Sequence, residues 1–470
     1  MTNEKKQITK NTNRGLYFDL SYTGILIFFL FRIPLTNIIG NEGNGYFSVA
    51  WEIYTLFGLL FGHGIYNITK NMVRLRIRKN QYHNSTRVLS TSLIISFLLS
   101  VLGGVVIYFY SNILLNALSM KLSGISLRLL GILLIFSSVS GVFRGYFEGC
   151  GTKIPTSFSK IVEAFVAGTG AIIFASILYK YGAKVGALLF NMQYEPAFGS
   201  MGIAAGCICG SIFAFIFLLL VNTVYQKPLK QLLQKEDKKS VESLGSITKE
   251  FLKLSFITLF ELVFFKLFRL INMSLYIKAY SNTDAKGKII QYLGSYHGKV
   301  LILTGILIFI ILSTTGRNIK KVEKSYYRNK IKLSWQYFCD DLKQILIFAI
   351  PATALVAALA KNLLTLLYNS SGNTEVFMLQ LGAVNILLVP VAIYLYKLLS
   401  NLDFKLIIIT IPLLAFILQT MVTGILVKQE SLGALCLIIS DVIFWFLVVL
   451  LELLVVIKTL KFPLLKNTDV

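Results

Sequence analysis

Charged side chains are scarce in this chain of 470 residues: Asp, Glu, Lys and Arg together make up 14% of it. Soluble globular domains carry about 25%, so the composition excludes an ordinary soluble protein. The five cysteines and three histidines show no metal-ligand spacing, and no GxxxxGK[ST] loop is present to hold a nucleotide. We therefore predict no metal, no cofactor and, in the absence of a nucleophile–base set, no enzyme activity.

Apolar residues, by contrast, make up 55% of the chain, and the mean hydropathy is +0.70. Apolar runs of about 20 residues, the length that crosses a hydrocarbon core, recur from end to end. The sequence predicts an all-α polytopic protein of the cell (cytoplasmic) membrane whose first span is retained rather than cleaved. About twelve transmembrane helices are predicted, at 16–38, 46–67, 91–116, 126–147, 159–180, 200–224, 250–277, 294–315, 344–368, 376–399, 404–427 and 431–457.

A net charge of +24 alone would suggest a nucleic-acid-binding protein, but the placement of the basic residues indicates another explanation. With the N-terminus in the cytoplasm, the cytoplasmic loops, tails and adjoining span ends hold 32 Lys and Arg, against 8 on the other side. This asymmetry follows the positive-inside rule. It predicts cytoplasmic N- and C-termini and contact with anionic membrane lipids, and it makes a nucleic-acid partner unnecessary.

The longest polar interruption falls near the middle of the chain. We predict that residues 226–249 form a cytoplasmic linker between an N-terminal lobe of six spans, 1–225, and a C-terminal lobe of six spans, 250–470. Two such halves are typical of alternating-access transporters, whose site lies between the lobes.

The first two predicted spans are joined by the short segment GNEGNG, which predicts a tight antiparallel hairpin. Arg32 and Glu52 then lie at similar depth, roughly 9 Å below the outer boundary. We expect them to be neighbours. Two interpretations stay open: a salt bridge that staples the hairpin, or a cation that faces a cavity beside its partner.

Glycines recur every fourth residue at Gly141, Gly145 and Gly149, and a second small-residue face follows at positions 202, 206 and 210. Such faces let neighbouring membrane helices approach closely. Charge lies beside the first face, where GCGTKIP turns the chain back. The charged residues there are Arg144, Glu148 and Glu163; they serve either as a structural gate or staple, or as a substrate or ion contact.

The seventh span carries charge near its middle, and two later spans each contribute one charged residue. Charges at this depth must face protein or a watery cavity. The candidate cavity cations are Arg32, Lys266, Arg269 and Lys361. The candidates for pairing, gating or ion coupling are Glu52, Arg144, Glu148, Glu163, Glu261, Asn272 and Asp441.

Two segments, RIPLTNIIGNEGNGYFSVAWEIY and RGYFEGCGTKIPTSFSKIVE, resemble motifs of the stage V sporulation protein B-like polysaccharide exporters. That family belongs to the MOP superfamily, with the peptidoglycan lipid II flippase and the MATE transporters. The resemblance implies two pseudo-symmetric six-helix bundles around a V-shaped cavity. It implies that Arg32 contacts a substrate diphosphate, that Arg144 and Glu163 are structural, and that Asn272 stands where the family has an acidic residue.

These observations favour a flippase that moves a lipid-linked saccharide of the polyprenyl-diphosphate type to the outer leaflet. A cell-envelope polymerase or glycosyltransferase is an expected partner. A MATE-like cation or drug antiporter remains an alternative, with Glu52, Glu261 and Asp441 as its acidic candidates. A transport-inactive membrane scaffold of a polysaccharide assembly complex is a second alternative.

Overall fold

The computed structural model describes residues 22–59, 61, 64–116, 118–234, 241–281, 288–370, 372–429 and 432–460, with backbone only for 226–234. Within these ranges the chain is all-α, as predicted, and contains no strand. The helices are α1 (Thr23–Gly58), α2 (Gly64–Arg78), α3 (Tyr82–Asn116), α4 (Ser123–Gly149), α5 (Ile154–Leu188), α6 (Tyr194–Gln234), α7 (Leu244–Tyr280), α8 (Ile289–Ser295), α9 (Leu301–Thr314), α10 (Ile319–Tyr327), α11 (Ile331–Ala358), α12 (Ala360–Tyr368), α13 (Asn373–Gly382), α14 (Val384–Asn401), α15 (Lys405–Leu426) and α16 (Leu435–Leu460). A π-helical turn, Tyr296–Val300, joins α8 to α9.

Ten of the described segments are long and apolar enough to cross a membrane. The chain is therefore a multi-pass membrane protein by length and composition. Two of the twelve predicted spans overlap α1, which counts as one segment among the ten. Helix α7, a third predicted span, is not among the ten because it carries more charged residues. The count of twelve spans and the cytoplasmic placement of both termini stay predictions.

Helix α1 folds back on itself at Gly40, which confirms the predicted hairpin. Gly40 has φ +68°, a left-handed conformation that costs glycine little. Along a straight helix, Arg32 and Phe47 would lie about 22 Å apart. Instead, the guanidinium carbon of Arg32 lies 4.9 Å from the centroid of the Phe47 ring. Both arms of the hairpin therefore reach the same depth and face the same space.

The two predicted small-residue faces both form close helix contacts. A Cβ atom at Gly145 would lie 2.5 Å from the carbonyl oxygen of Tyr66, so α4 packs directly on the backbone of α2. A Cβ atom at Gly206 would lie 2.2 Å from the backbone nitrogen of Ala171, which brings α6 equally close to α5. These seams hold the first half of the molecule together.

Helix α7 packs against both halves of the chain. Near its start, Ile247 and Phe251 belong to an apolar core that they share with Met72 of α2. Farther along, Phe268 stacks on Phe444 of α16, with ring centroids 3.8 Å apart. Both ends of the predicted linker, 226–249, are helical, because α6 runs to Gln234 and α7 begins at Leu244. Residues 235–240 lie outside the described residues.

Candidate functional site

A cavity of about 950 Å³ lies between the two halves of the chain. Both arms of the α1 hairpin line it, together with the facing parts of α4, α5, α7, α9 and α14. Much of its wall is aromatic, from Phe28, Phe29, Trp51, Phe265, Tyr396 and Trp445. A volume of this size is in the range of specific small-molecule pockets.

Cationic groups outnumber carboxylates on the cavity wall by six to two. The cations are Arg32, Arg144, Lys160, Lys266, Arg269 and Lys397. The carboxylates are Glu52 and Glu163, and His297 also lines the wall. Charges enclosed by apolar walls interact more strongly than charges in water, so the cavity favours an anionic occupant.

Arg32 lies at the wall with only 3% of its surface exposed. Its Nη2 donates to Oδ1 of Asn44 at 2.7 Å, and its plane contacts Phe47. Its Nη1 has no hydrogen-bond partner among the described residues. Within that part of the chain no carboxylate lies within 4.0 Å of it, so the guanidinium keeps donor capacity for a ligand.

Lys266 and Arg269 reach the cavity from α7. Arg269 forms an ion pair with Asp441, with Nε 3.2 Å from Oδ1. Asp441 is buried and also accepts from Nδ2 of Asn385 at 2.7 Å. Lys266 forms no ion pair within 4.0 Å in the described part of the chain, so its charge faces the cavity without a carboxylate of its own.

Arg32 and Glu52 line the same cavity, but no salt bridge within 4.0 Å joins them, so the interpretation as a staple of the hairpin is wrong. Glu52 lies instead beside His297, with Nδ1 3.8 Å from Oε1. Arg32 turns to Asn44 instead, because the hairpin bend at Gly40 presents that amide beside the guanidinium.

The turn after α4 brings Arg144 and Glu163 together. Arg144 Nη2 lies 2.6 Å from Glu163 Oε2, and its Nε donates to Oγ of Ser159 at 2.9 Å. Glu148 does not pair with Arg144, which lies four residues earlier on the same helix. It pairs with Lys70 of α2 at 2.7 Å and accepts from the Tyr66 hydroxyl, because α4 lies directly on α2.

Five predicted residues lie away from the cavity wall, namely Glu148 and Asp441, described above, and three others. Lys361 is exposed on α12, so its assignment as a cavity cation is wrong. Glu261 is half-buried on α7 and does not line the cavity. Asn272 is buried behind the wall, where its Oδ1 accepts from the side chains of Gln419 and Thr423.

The end of the cavity that the charge distribution predicts to be extracytoplasmic is closed by contacts between the two halves. Asn41 Nδ2 donates to Oε1 of Glu375 at 2.8 Å. Beside this bond, Cβ atoms added at Gly45 and Gly294 would lie 2.2 Å from the Ile290 carbonyl oxygen and 1.6 Å from the Asn41 carbonyl oxygen. We call this set, Asn41, Gly45, Ile290, Gly294 and Glu375, the outer seal.

Glu375 is the most heavily hydrogen-bonded member of the outer seal, and the sequence analysis did not single it out. Besides Asn41, it binds Lys299 Nζ at 2.8 Å and accepts from Ser295 Oγ at 2.6 Å and from Ser370 Oγ. The available signal was Lys299, a lone cation in an apolar span, which requires a partner. Nothing in the sequence identified that partner.

Residues 13–317 match the family described as "Polysaccharide biosynthesis protein". The chain is 22% identical over 223 residues to stage V sporulation protein B of Bacillus subtilis (strain 168); the match covers 47% of this chain and 41% of that relative.

Solved structures of the MOP superfamily share the fold. A multidrug resistance MATE family transporter in an inward-facing conformation matches with a TM-score of 0.73 at 14% identity, over 98% of this chain and 99% of the other. The outward-facing form of such a transporter gives 0.65 at 14% identity, over 95% of each chain. A MOP superfamily transporter from Pyrococcus furiosus, described as having a binding pocket of reversed polarity, gives 0.58 at 15% identity, over 96% and 100%.

Proposed function

Because this chain belongs to the polysaccharide biosynthesis protein family and has the MOP transporter fold, we propose that it is a flippase for a lipid-linked saccharide. The cargo has an anionic head group of the polyprenyl-diphosphate type. The protein moves it from the inner to the outer leaflet of the cytoplasmic membrane by alternating access, and it delivers the cargo to a cell-envelope polymerase or glycosyltransferase.

The proposal rests on two cavity cations that have no carboxylate partner in the described part of the chain. Arg32 and Lys266 both lie on the cavity wall, and neither has a carboxylate partner within 4.0 Å in the described part of the chain. Positive charge in such a place is costly unless a ligand neutralises it. A diphosphate supplies that neutralisation, since a guanidinium binds phosphate oxygens through two parallel hydrogen bonds and an ammonium binds them as a point charge.

Arg269 adds a third cation to the cavity wall. Arg269 is held by Asp441, which fixes the direction of its guanidinium while the rest of the group still lines the wall. A positioned cation loses less side-chain entropy on binding than a free one. The aromatic wall, with Trp51 and Trp445, suits the apolar faces of a sugar ring.

The membrane potential supplies a driving force for such a cargo. A diphosphate carries about two negative charges, and each is worth about 2.3 kcal/mol per 100 mV. Moving two negative charges outward across an inside-negative potential of about 100 mV is therefore favourable by roughly 4–5 kcal/mol. The proposal thus requires no nucleotide.

The charge of the cavity argues against the alternative of a cation or drug antiporter. Of its acidic candidates, Glu261 is off the wall and Asp441 is bound to Arg269. Of these three candidates only Glu52 lines the wall, and six cations line the same cavity. The presence of an open cavity likewise argues against a transport-inactive scaffold.

A flipping assay in reconstituted vesicles tests the proposal, with a fluorescent polyprenyl-diphosphate disaccharide as cargo. Loss of a hydrogen bond to a charged group costs about 1.5–3 kcal/mol. We expect Arg32→Ala and Lys266→Ala each to slow flipping roughly 10- to 100-fold. Lys361→Ala is the matched control, because it removes an exposed cation outside the cavity. Flipping at the wild-type rate in both cavity variants would overturn the proposal.

A further inference from the structure

Glu452 on α16 is the most isolated buried carboxylate in the described part of the chain. Only 1% of its surface is exposed. Neither of its carboxylate oxygens has a hydrogen-bond partner among the described residues. No cation of that part of the chain lies within 4.0 Å of it.

Four other carboxylates of the described chain are buried, and each has a polar neighbour; Glu52 lies 3.8 Å from Nδ1 of His297. Asp441 is bound by Arg269 and an amide, and Glu375 by Lys299 and two hydroxyls. Asp341 accepts from the backbone nitrogen of Asn318 at 3.0 Å and from its side chain at 2.9 Å. Glu452 is therefore an exception that packing alone does not explain.

The environment of Glu452 decides its charge. Moving an ionised carboxylate into a protein interior costs several kcal/mol even after relaxation, and only a close partner compensates. Without such a partner, the group avoids the cost by binding a proton. The arrangement described here is accordingly one in which Glu452 carries a proton.

Glu452 also lies within reach of the cavity. It shares a stripe of α16 with Asp441, Trp445 and Val448, all buried. Trp445, seven residues earlier and so about 10 Å away along the axis, lines the cavity. Tyr396 of α14 lines the cavity as well and lies within electrostatic range of Glu452.

Other titratable groups on the helices packed against α16 are mostly held elsewhere. Glu261 of α7 is the exception, since it lies within electrostatic range of Tyr396 too. Other charged groups on these helices include Lys266 and Arg269 at the cavity, Lys397 bound to Tyr22, Lys405 near Asp403, Glu375 bound to Lys299, and Asp341 with Asn318.

We propose that Glu452 is a proton-binding site that couples the transport cycle to protons, and that the proton-loaded form stabilises the arrangement with the outer seal closed. The proposal deepens the flippase function by naming a coupling ion, and it rests on that function for its physiological meaning. The proton is taken up by the carboxylate and released to the cavity when the halves rearrange. Such coupling requires that Glu452 bind the proton more weakly in the alternative state.

Infrared spectroscopy of the purified full-length protein tests the protonation directly and needs no cargo. The difference spectrum between wild type and Glu452→Gln at neutral pH should contain the carbonyl stretch of a protonated carboxylic acid. Glu261→Gln is the control, because Glu261 is half-buried. A difference spectrum that contains carboxylate bands instead would overturn the proposal.

The distance between spin labels across the outer side tests the coupling. In a cysteine-free background, labels at Met192→Cys and Lys428→Cys, both exposed, report on the outer side. We expect the wild-type distance to lengthen as pH rises and the Glu452→Gln distance to stay at the low-pH value throughout. Equal pH dependence in the two proteins, or none in wild type, would contradict the proposal. Neither measurement depends on the saccharide, so its failure is distinct from failure of the flippase proposal.

Discussion

Gly294 is the tightest point of the outer seal, and replacing it with alanine tests whether the seal sets the conformation of the protein. The added Cβ atom would lie 1.6 Å from the carbonyl oxygen of Asn41, whereas real Cβ contacts essentially never fall below 3.0 Å. The obstructing atom belongs to the backbone of the opposite half and cannot rotate away. The two halves must therefore separate locally by at least 1.4 Å, the difference between these two distances.

The magnitude follows from the cost of overpacking. Extra methyl groups in a tightly packed contact cost about 1–3 kcal/mol. In a transporter that alternates between two states, the strain falls only on the state with the outer seal closed. The equilibrium between closed and open outer sides should therefore shift roughly 5- to 150-fold toward the open state in Gly294→Ala.

The spin-label pair at Met192→Cys and Lys428→Cys measures this shift. We expect Gly294→Ala to increase the population with a long distance across the outer side. Gly424→Ala is the control, since a Cβ atom there would meet nothing within 4 Å. An unchanged distance distribution in Gly294→Ala, in protein that is folded and monodisperse, would refute the assignment of this contact as the closure of the cavity.

Three further outcomes follow from the same contacts. Asp441→Asn should destabilise the protein by about 1.5–3 kcal/mol, because it leaves the Arg269 guanidinium without its carboxylate; thermal unfolding checks this, and a double variant with Arg269→Gln that regains no stability would contradict it. Glu375→Gln removes the charge that Lys299 neutralises, so we expect a longer label distance across the outer side; a distance equal to that of wild type would show that hydrogen bonds alone hold the seal. Lys361→Ala should change stability by less than about 0.5 kcal/mol in a denaturant titration, and a larger loss would place this residue in a contact that its exposure does not show.

The sequence predicted those features that depend on local pattern. The hairpin in α1 follows from a glycine-rich connector between two apolar runs, and Gly40 adopts the required backbone conformation. Arg144 and Glu163 both lie beside the turn at GCGTKIP in the sequence, and the structure joins them in an ion pair. The small-residue seams follow from a four-residue spacing, which is a property of the helix itself.

Features that depend on which helices meet were beyond sequence reasoning. Glu375 contacts Asn41, a residue 334 positions away, and no pattern in either segment indicates the other. Glu148 pairs with Lys70 because α2 lies directly against α4, and the sequence did not indicate that contact. Lys361 was assigned to the cavity because it is a cation in a predicted span. The direction of a lone side chain on a helix is set by packing that a single sequence does not record.

The sequence identified Arg32, Lys266 and Arg269 as cavity cations, but it did not show which of them have a carboxylate partner. Arg269 has a carboxylate partner, whereas Arg32 has an amide partner and Lys266 has no ion pair in the described part of the chain. The difference arises because Asp441 approaches from α16, across the second half of the molecule. Their role in binding stays a prediction.

The chemical preference of the cavity tests the account most directly. Equilibrium binding to the purified protein in lipid nanodiscs is measured for two probes, a polyprenyl-diphosphate saccharide and a lipophilic organic cation, with wild type and the Arg32→Ala, Lys266→Ala double variant. The account predicts that wild type binds the diphosphate and not the cation, and that the double variant loses the diphosphate. Binding of the cation with no binding of the diphosphate would contradict it and would favour the antiporter.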